Sequence, residues 1–271
     1  MPLPSREVSA FVSPRAWLCD LWLALALLTR LPVGAPTTPP KAAEPMPYAR
    51  ASRCYPLVGA LVGLIAAAVL LAAYRVGLPP ILCALLAVAT TVLVTGALHE
   101  DGLADLADGF GGGRDRTAKL AIMRDSRIGS YGVLALIFSV ALRSASLAAL
   151  GETPSLAAAA LIAAQSLSRG GLAAIMALLP LARPEGLAAQ VGRPGGGNAL
   201  TAILLAGVLA LLLLDWVAAL WALLACLLIQ SAVTVLARRQ IGGYTGDVLG
   251  AAQQLGEIAV LLVLATCLGR I

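Results

Sequence analysis

Seven mostly apolar runs, each close to the length of a bilayer crossing, occupy most of this 271-residue chain: 56–74, 80–98, 132–150, 155–180, 199–214, 216–236 and 247–268. A hydrocarbon core of about 30 Å needs roughly 20 apolar residues per helix. Inside lipid every backbone polar group must find a partner, so a chain cut into such pieces has few alternatives to a bundle of crossing helices. An eighth run, 17–28, is shorter and carries Asp20, and reads as an interfacial or re-entrant helix. Composition excludes a water-soluble enzyme: 60% of the residues are hydrophobic and 12% charged, whereas a soluble domain carries roughly 25% charged residues. The expected fold is all-α, a polytopic transmembrane helix bundle of about seven spans plus a short N-terminal helix. It forms a single integral membrane domain over 1–271, with 1–55 as a cytoplasmic or interfacial N-terminal region and 99–131 as a cytoplasmic acidic loop.

The net charge of +5 would raise the question of nucleic acid in a soluble protein. Here membrane topology explains it. In a seven-span arrangement 15 of the 19 Lys and Arg, Arg6 and Lys41 among them, fall on the side that holds 99–131. Arg75 and Arg270 fall on the other side, and Arg143 and Arg169 lie within spans. The basic side faces the cytoplasm; if 17–28 also crossed, the split would be 13 to 4 with the same orientation. Lipid is therefore an expected partner and nucleic acid is not, and nothing excludes a homo-oligomer. Cys19, Cys54, Cys83, Cys226 and Cys267 are scattered without a CxxC, so neither a disulfide framework nor a zinc site is indicated. Trp17, Trp22, Trp216 and Trp221 read as interface anchors. The tight links at 74–79 and Asp215 predict antiparallel hairpins, and 192–197 predicts a flexible connection.

The carboxylates are unevenly spread. In His99-Glu100-Asp101-Gly102-Leu103-Ala104-Asp105-Leu106-Ala107-Asp108-Gly109, Asp101, Asp105 and Asp108 stand at i, i+4 and i+7, on one face of a helix over about 10 Å. Like charges stacked this way repel unless something cationic binds them. Magnesium suits such a row, because it takes oxygen ligands and shares them with substrate phosphates. There it would neutralise charge on a leaving phosphate. The plain alternative is a solvated acidic helix end.

A glycine-rich stretch then leads through Lys119 to Met123-Arg124-Asp125-Ser126-Arg127-Ile128-Gly129-Ser130-Tyr131-Gly132. Its glycines allow close backbone approach to an anion. Arg124 and Arg127 are natural phosphate clamps, and Asp125 between them suits a further ligand or a base; an ordinary basic loop is the plain alternative. Asp247, in Gly243-Tyr244-Thr245-Gly246-Asp247, either caps the last span or joins the same cavity. Gln253, Gln254 and Glu257 continue one polar face into the bilayer. Arg143 and Arg169 need intramembrane partners, with Glu257 or Asp215 available.

Taken together, His99-x-Asp101-Gly102-x-Ala104-Asp105-x-x-Asp108-Gly109, the Asp125-Ser126-x-x-Gly129-x-x-Gly132 stretch and Tyr244-Thr245-Gly246-Asp247-x-x-Gly250-Ala251 resemble the cobalamin synthase family, also called adenosylcobinamide-GDP ribazoletransferase. Leu28-Thr29-Arg30-Leu31-Pro32, Tyr55-Pro56-Leu57-Val58-Gly59 and Leu167-Ser168-Arg169 extend the likeness along nearly the whole chain. The resemblance implies a Mg²⁺-dependent, multi-pass enzyme of the bacterial inner (plasma) membrane with a cytoplasmic site. It would join adenosylcobinamide-GDP and α-ribazole, or α-ribazole 5′-phosphate, and release GMP. With the residue chemistry it suggests Asp101, Asp105 and Asp108 on the metal, Arg124, Arg127, Lys119 and Arg169 on substrate, and Asp125, His99 and Asp247 as catalytic groups. Three rivals have distinguishable signatures. CDP-alcohol phosphotransferases share Asp-Gly-x-x-Ala but place arginine where this chain has Asp105. Intramembrane prenyltransferases carry an Asn-Asp cluster that is absent here. A secondary transporter would use Arg143, Arg169 and Glu257 at the midplane.

Overall fold

Six helices are long and apolar enough to cross a membrane: Tyr48–Arg75, Ser130–Ala149, Pro154–Leu178, Gly196–Leu213, Trp216–Ile241 and Gly246–Leu268. A seventh candidate is the pair Pro80–Thr95 and Leu98–Gly112, bent by 91°. The structure, a computed structural model, describes residues 13–34 and 47–268; Arg6, Lys41 and Arg270 of the charge argument lie outside them. Among the described residues there is no strand, only an isolated parallel bridge between Leu181 and Tyr244. The architecture is an all-α bundle of membrane-length helices.

At its centre is Pro154–Gly170, packed against Tyr55–Arg75, Gly196–Leu213 and Gly246–Leu268. Small residues put it there. A Cβ added to Gly59 would stand 2.1 Å from the Gln165 carbonyl oxygen, and one on Gly63 would stand 2.7 Å from the Ile162 Cα. Membrane helices have little hydrophobic drive to associate, so backbone-close contact at such glycine pairs supplies much of the attraction. The expected span 155–180 is one membrane-length helix, Pro154–Leu178, with a local interruption at Gly171. Gln230 Nε2 donates to the Ser168 carbonyl at this break (2.7 Å), so the freed acceptor is not left bare in an apolar setting.

The Asp215 junction gives a hairpin of light contact, in which a Cβ on Gly207 would stand 4.0 Å from Leu223 Cδ2. Leu214 and Asp215 are both extended, and the Asp215 side chain accepts from Val217 N and Ala218 N as a helix cap. The two flanking helices find their main partners elsewhere: Gly196–Leu213 lays its Ala202, Ala206 and Ala210 stripe inward, while Trp216–Ile241 packs on Gly246–Leu268. The tight link at 74–79 does give a packed pair. The expected flexible stretch at 192–197 is partly helical, since Gly196–Leu213 begins within it.

The run 17–28 forms a helix, Pro14–Leu28. Asp20, the charge that interrupts it, is fully buried and pairs with Arg50 and Arg53, each at 2.9 Å. The Arg53 guanidinium also lies 4.0 Å over the Trp17 ring, and Trp22 Nε1 donates to the Val33 carbonyl. These two tryptophans therefore bind within the protein rather than serving only as interface anchors; Trp216 and Trp221 are exposed.

The bend before the acidic helix positions the site. Gly96 and Ala97 both have positive φ (64° and 59°), which turns Leu98–Gly112 across the apolar arm Pro80–Thr95. For Ala97 this conformation costs roughly 1–2 kcal/mol, offset by packing of the acidic helix on Ser130–Ala149 and Gly246–Leu268. Residues 99–131 are thus not a loop but two helices, Leu98–Gly112 and Arg116–Ile122, joined by short turns.

Candidate active site

Two glycines let the acidic helix cross the last helix at backbone contact. A Cβ on Gly102 would stand 3.0 Å from the Asp247 Cα, and one on Gly250 would stand 3.0 Å from the His99 carbonyl oxygen. The neighbours of these glycines, Asp101 and Asp247, consequently share the wall of a cavity of about 230 Å³. His99, Arg183 and Glu185 complete its polar side. Leu28, Tyr55 and Met176 are among the residues of its apolar side. Asp105 is half-buried one turn on from Asp101. Burial pushes its carboxyl up to about 7; Asp101, Asp247 and Asp108 push the same way, and Arg183 opposes them. Four acidic side chains from two helices therefore act on one another.

Asp108 has a second occupation. Its Oδ2 accepts from Gly129 N (2.7 Å) and its Oδ1 from Gly132 N (2.9 Å), at the start of Ser130–Ala149. A Cβ at either glycine would stand 2.4 Å from an Asp108 oxygen. The Gly129-x-x-Gly132 spacing does admit an anion close to the backbone, and that anion is the chain's own carboxylate. Among the described residues no group of three His, Cys, Asp or Glu side chains is gathered tightly enough to form a finished metal site. What is present is an all-oxygen set whose mutual repulsion Arg183 offsets only in part, which fits a hard divalent cation.

Beneath the cavity lies a buried polar layer. Arg143 Nη1 donates to Glu100 Oε1 (3.1 Å) and stands 3.6 Å from Glu257 Oε1. Gln254 bridges Glu100 and Gln253, Gln253 donates to Glu257 and Ser168, and Ser139 donates to Gln254. Of the two partners weighed for the intramembrane arginines, Glu257 pairs with Arg143 and Asp215 does not. Arg169 is buried and donates to the carbonyl and the side chain of Gln165, which places it in this layer rather than on the cavity wall. His99 is 3% exposed, and its Nε2 has no hydrogen-bond partner. It links the layer to the cavity.

The remaining expected clamps stand off the wall. Arg127 pairs with Asp125 at 2.6 Å on the exposed turn and holds that carboxyl down at about 2. Arg124 pairs with Glu185 (2.9 Å), so it touches the rim through a wall residue. Lys119 is buried, its stem laid against Gly113. Sequence reasoning passed over Arg183, whose Nη2 stands 3.3 Å from Asp247 Oδ2. Counted only as a topogenic charge, it carried no local motif to mark it.

Residues 20–265 match the cobalamin-5-phosphate synthase family, a stretch that contains every residue of the cavity named above. The chain belongs to that family. Curated relatives called adenosylcobinamide-GDP ribazoletransferase include one from Bradyrhizobium diazoefficiens, 50% identical and covering 92% of this chain and 94% of its own. Another from Azorhizobium caulinodans is 49% identical (90% and 94%), and one from Mesorhizobium japonicum is 47% identical (95% and 96%). No solved structure matches the chain. Membership of the cobalamin-5-phosphate synthase family makes the protein a transferase of cobalamin biosynthesis, and removes the phosphotransferase, prenyltransferase and transporter alternatives. The three glycine-bearing acidic motifs that carry the resemblance meet in space: Gly102 against Gly250, and Asp108 against Gly129 and Gly132.

Proposed function

We propose that this chain joins α-ribazole, or its 5′-phosphate, to adenosylcobinamide-GDP, giving adenosylcobalamin or its 5′-phosphate and GMP. The observation that carries the proposal is the meeting of Asp101 and Asp247, from two crossing helices, on the wall of one cavity, with Asp105 close enough to feel both charges, in a chain of this family. The ribose 3′-hydroxyl attacks the cobinamide-linked phosphorus. A new P–O bond forms, the phosphoanhydride bond to GMP breaks, and the hydroxyl proton leaves.

Asp101, Asp105 and Asp247 would hold Mg²⁺, which supplies charge neutralisation on the diphosphate when bound. Asp108 keeps the acidic helix fastened to the next one through Gly129 and Gly132. His99 lines the cavity, and its buried Nε2 has no hydrogen-bond partner; turned toward the cavity, that nitrogen would orient the hydroxyl and take its proton as the bond to phosphorus forms. Positioning and charge carry most of such a reaction, so a strong base is not required. The excess of Lys and Arg on the side of the acidic motif supports a cytoplasmic site in the bacterial inner membrane.

Protein purified in detergent should release GMP only when adenosylcobinamide-GDP, α-ribazole and Mg²⁺ are all present. Release without the riboside, or solute uptake into sealed vesicles with no nucleotide chemistry, would overturn the proposal.

A further inference from the structure

The segment that carries Arg183 is fixed with unusual thoroughness for a connection between helices. Ala182 N donates to the Tyr244 carbonyl (2.8 Å), and Tyr244 N donates to the Pro180 carbonyl (2.9 Å). Arg116 then reaches from the helix after the acidic one, its Nε donating to the Ile241 carbonyl and its Nη2 to the Ala182 carbonyl, both at 2.8 Å. Gly243 admits this contact, because a Cβ there would stand 2.3 Å from the Pro180 oxygen. Two backbone hydrogen bonds and two from the Arg116 side chain therefore hold the segment that carries Arg183 at the cavity wall.

That side chain is half used. Arg183 Nη2 meets Asp247 Oδ2 at 3.3 Å, a long contact for a charged pair. Its Nη1 is buried and has no hydrogen-bond partner, and the side chain is only 16% exposed. A buried guanidinium nitrogen without an acceptor costs free energy unless a ligand supplies one. Arg183 is also the cation that acts on Asp105 from within the cavity. A planar, two-pronged donor beside a set of carboxylates matches a diphosphate that arrives with a divalent cation, since arginine takes phosphate oxygens in pairs.

We propose that Arg183 is the diphosphate-binding residue of this site and that its pairing with Asp247 is a resting partnership. When the nucleoside diphosphate group enters with its cation, Arg183 turns both nitrogens to phosphate oxygens and Asp247 turns to the cation. No bond other than hydrogen bonds and ion pairs changes in this exchange. The inference rests on the proposed reaction for the identity of the diphosphate, and the site it names is absent from the set of clamps read from the sequence.

The test uses GDP as the probe, by calorimetry on the detergent-purified full chain with and without Mg²⁺. Arg183→Ala should weaken GDP binding roughly 10- to 100-fold, the range for a lost charged hydrogen bond. Arg183→Lys should fall between, because it keeps the charge without the fork. In turnover, Arg183→Ala should raise KM for the nucleotide substrate and leave KM for the riboside unchanged, and added guanidinium ion should restore part of the lost rate. Without Mg²⁺, Asp247→Asn should strengthen GDP binding in the parent and do so much less in the Arg183→Ala background. A parent that fails to bind GDP, or an Arg183→Ala protein that elutes and melts like the parent and binds GDP within twofold of it, overturns the inference. GMP release by that same protein would leave the reaction standing, whereas absence of GMP release by the parent overturns the reaction itself.

Discussion

Replacing Asp105 by alanine lowers GMP release about 10³-fold, on the scale of losing one fixed transition-state contact or a metal ligand, while the protein still enters the membrane. Its thermal unfolding temperature stays level or rises, because the substitution removes one of four mutually repelling carboxylates. Relief of that kind is worth a few tenths of a kcal/mol per pair on a helix surface, and sites built for function commonly carry such a penalty. Asp101→Asn behaves the same way. The checks are initial rates of GMP release, recovery in the membrane fraction and a melting curve in detergent. An Asp105→Ala protein with more than about a tenth of parental activity contradicts the role given to this carboxylate.

Arg143→Met has the opposite signature: a large loss of stability. It strips the cation from Glu100 and Glu257, both buried. Breaking a buried pair by removing one partner costs about 3–5 kcal/mol, because the charge left behind loses its hydrogen-bonded counter-ion without gaining water; Arg169 is then the one cation still acting on both carboxylates among those described. Converting Glu100 and Glu257 to glutamine in the Arg143→Met background recovers most of the loss, since the hydrogen-bonding shape survives without the charge. The readout is reversible denaturation in detergent across the set of variants, treated as a cycle. A loss below about 1 kcal/mol for Arg143→Met would mean that the layer under the cavity is not held by this charge.

Much of this was legible in the sequence, for identifiable reasons. Membrane helices announce themselves by length and apolarity, so the spans were readable to within a few residues. The i, i+4, i+7 spacing of Asp101, Asp105 and Asp108 put them on one helix face. Helical periodicity says nothing, however, of what each oxygen bonds, and Asp108 spends both of its oxygens on Gly129 and Gly132. The bend that aims the acidic helix depends on a positive φ at Ala97, a residue type with no preference for that conformation. Arg183 was hidden by the positive-inside rule: once topology accounts for a basic residue, nothing local marks it as more. Its place comes from the Leu181–Tyr244 bridge, a contact between segments more than sixty residues apart. Asp20 was visible as an interruption, but its partners, Arg50 and Arg53, come from a segment that the sequence presents only as a polar connection.

Mn²⁺ in place of Mg²⁺ gives the most direct view of the carboxylate cluster, because its electron paramagnetic resonance spectrum separates bound from free ion. Titrated into the purified chain with GDP present, Mn²⁺ should bind at a saturable site that is lost in an Asp101→Asn, Asp105→Ala double variant. Equal Mn²⁺ affinity in parent and double variant would place the metal elsewhere and remove the basis of the proposed chemistry.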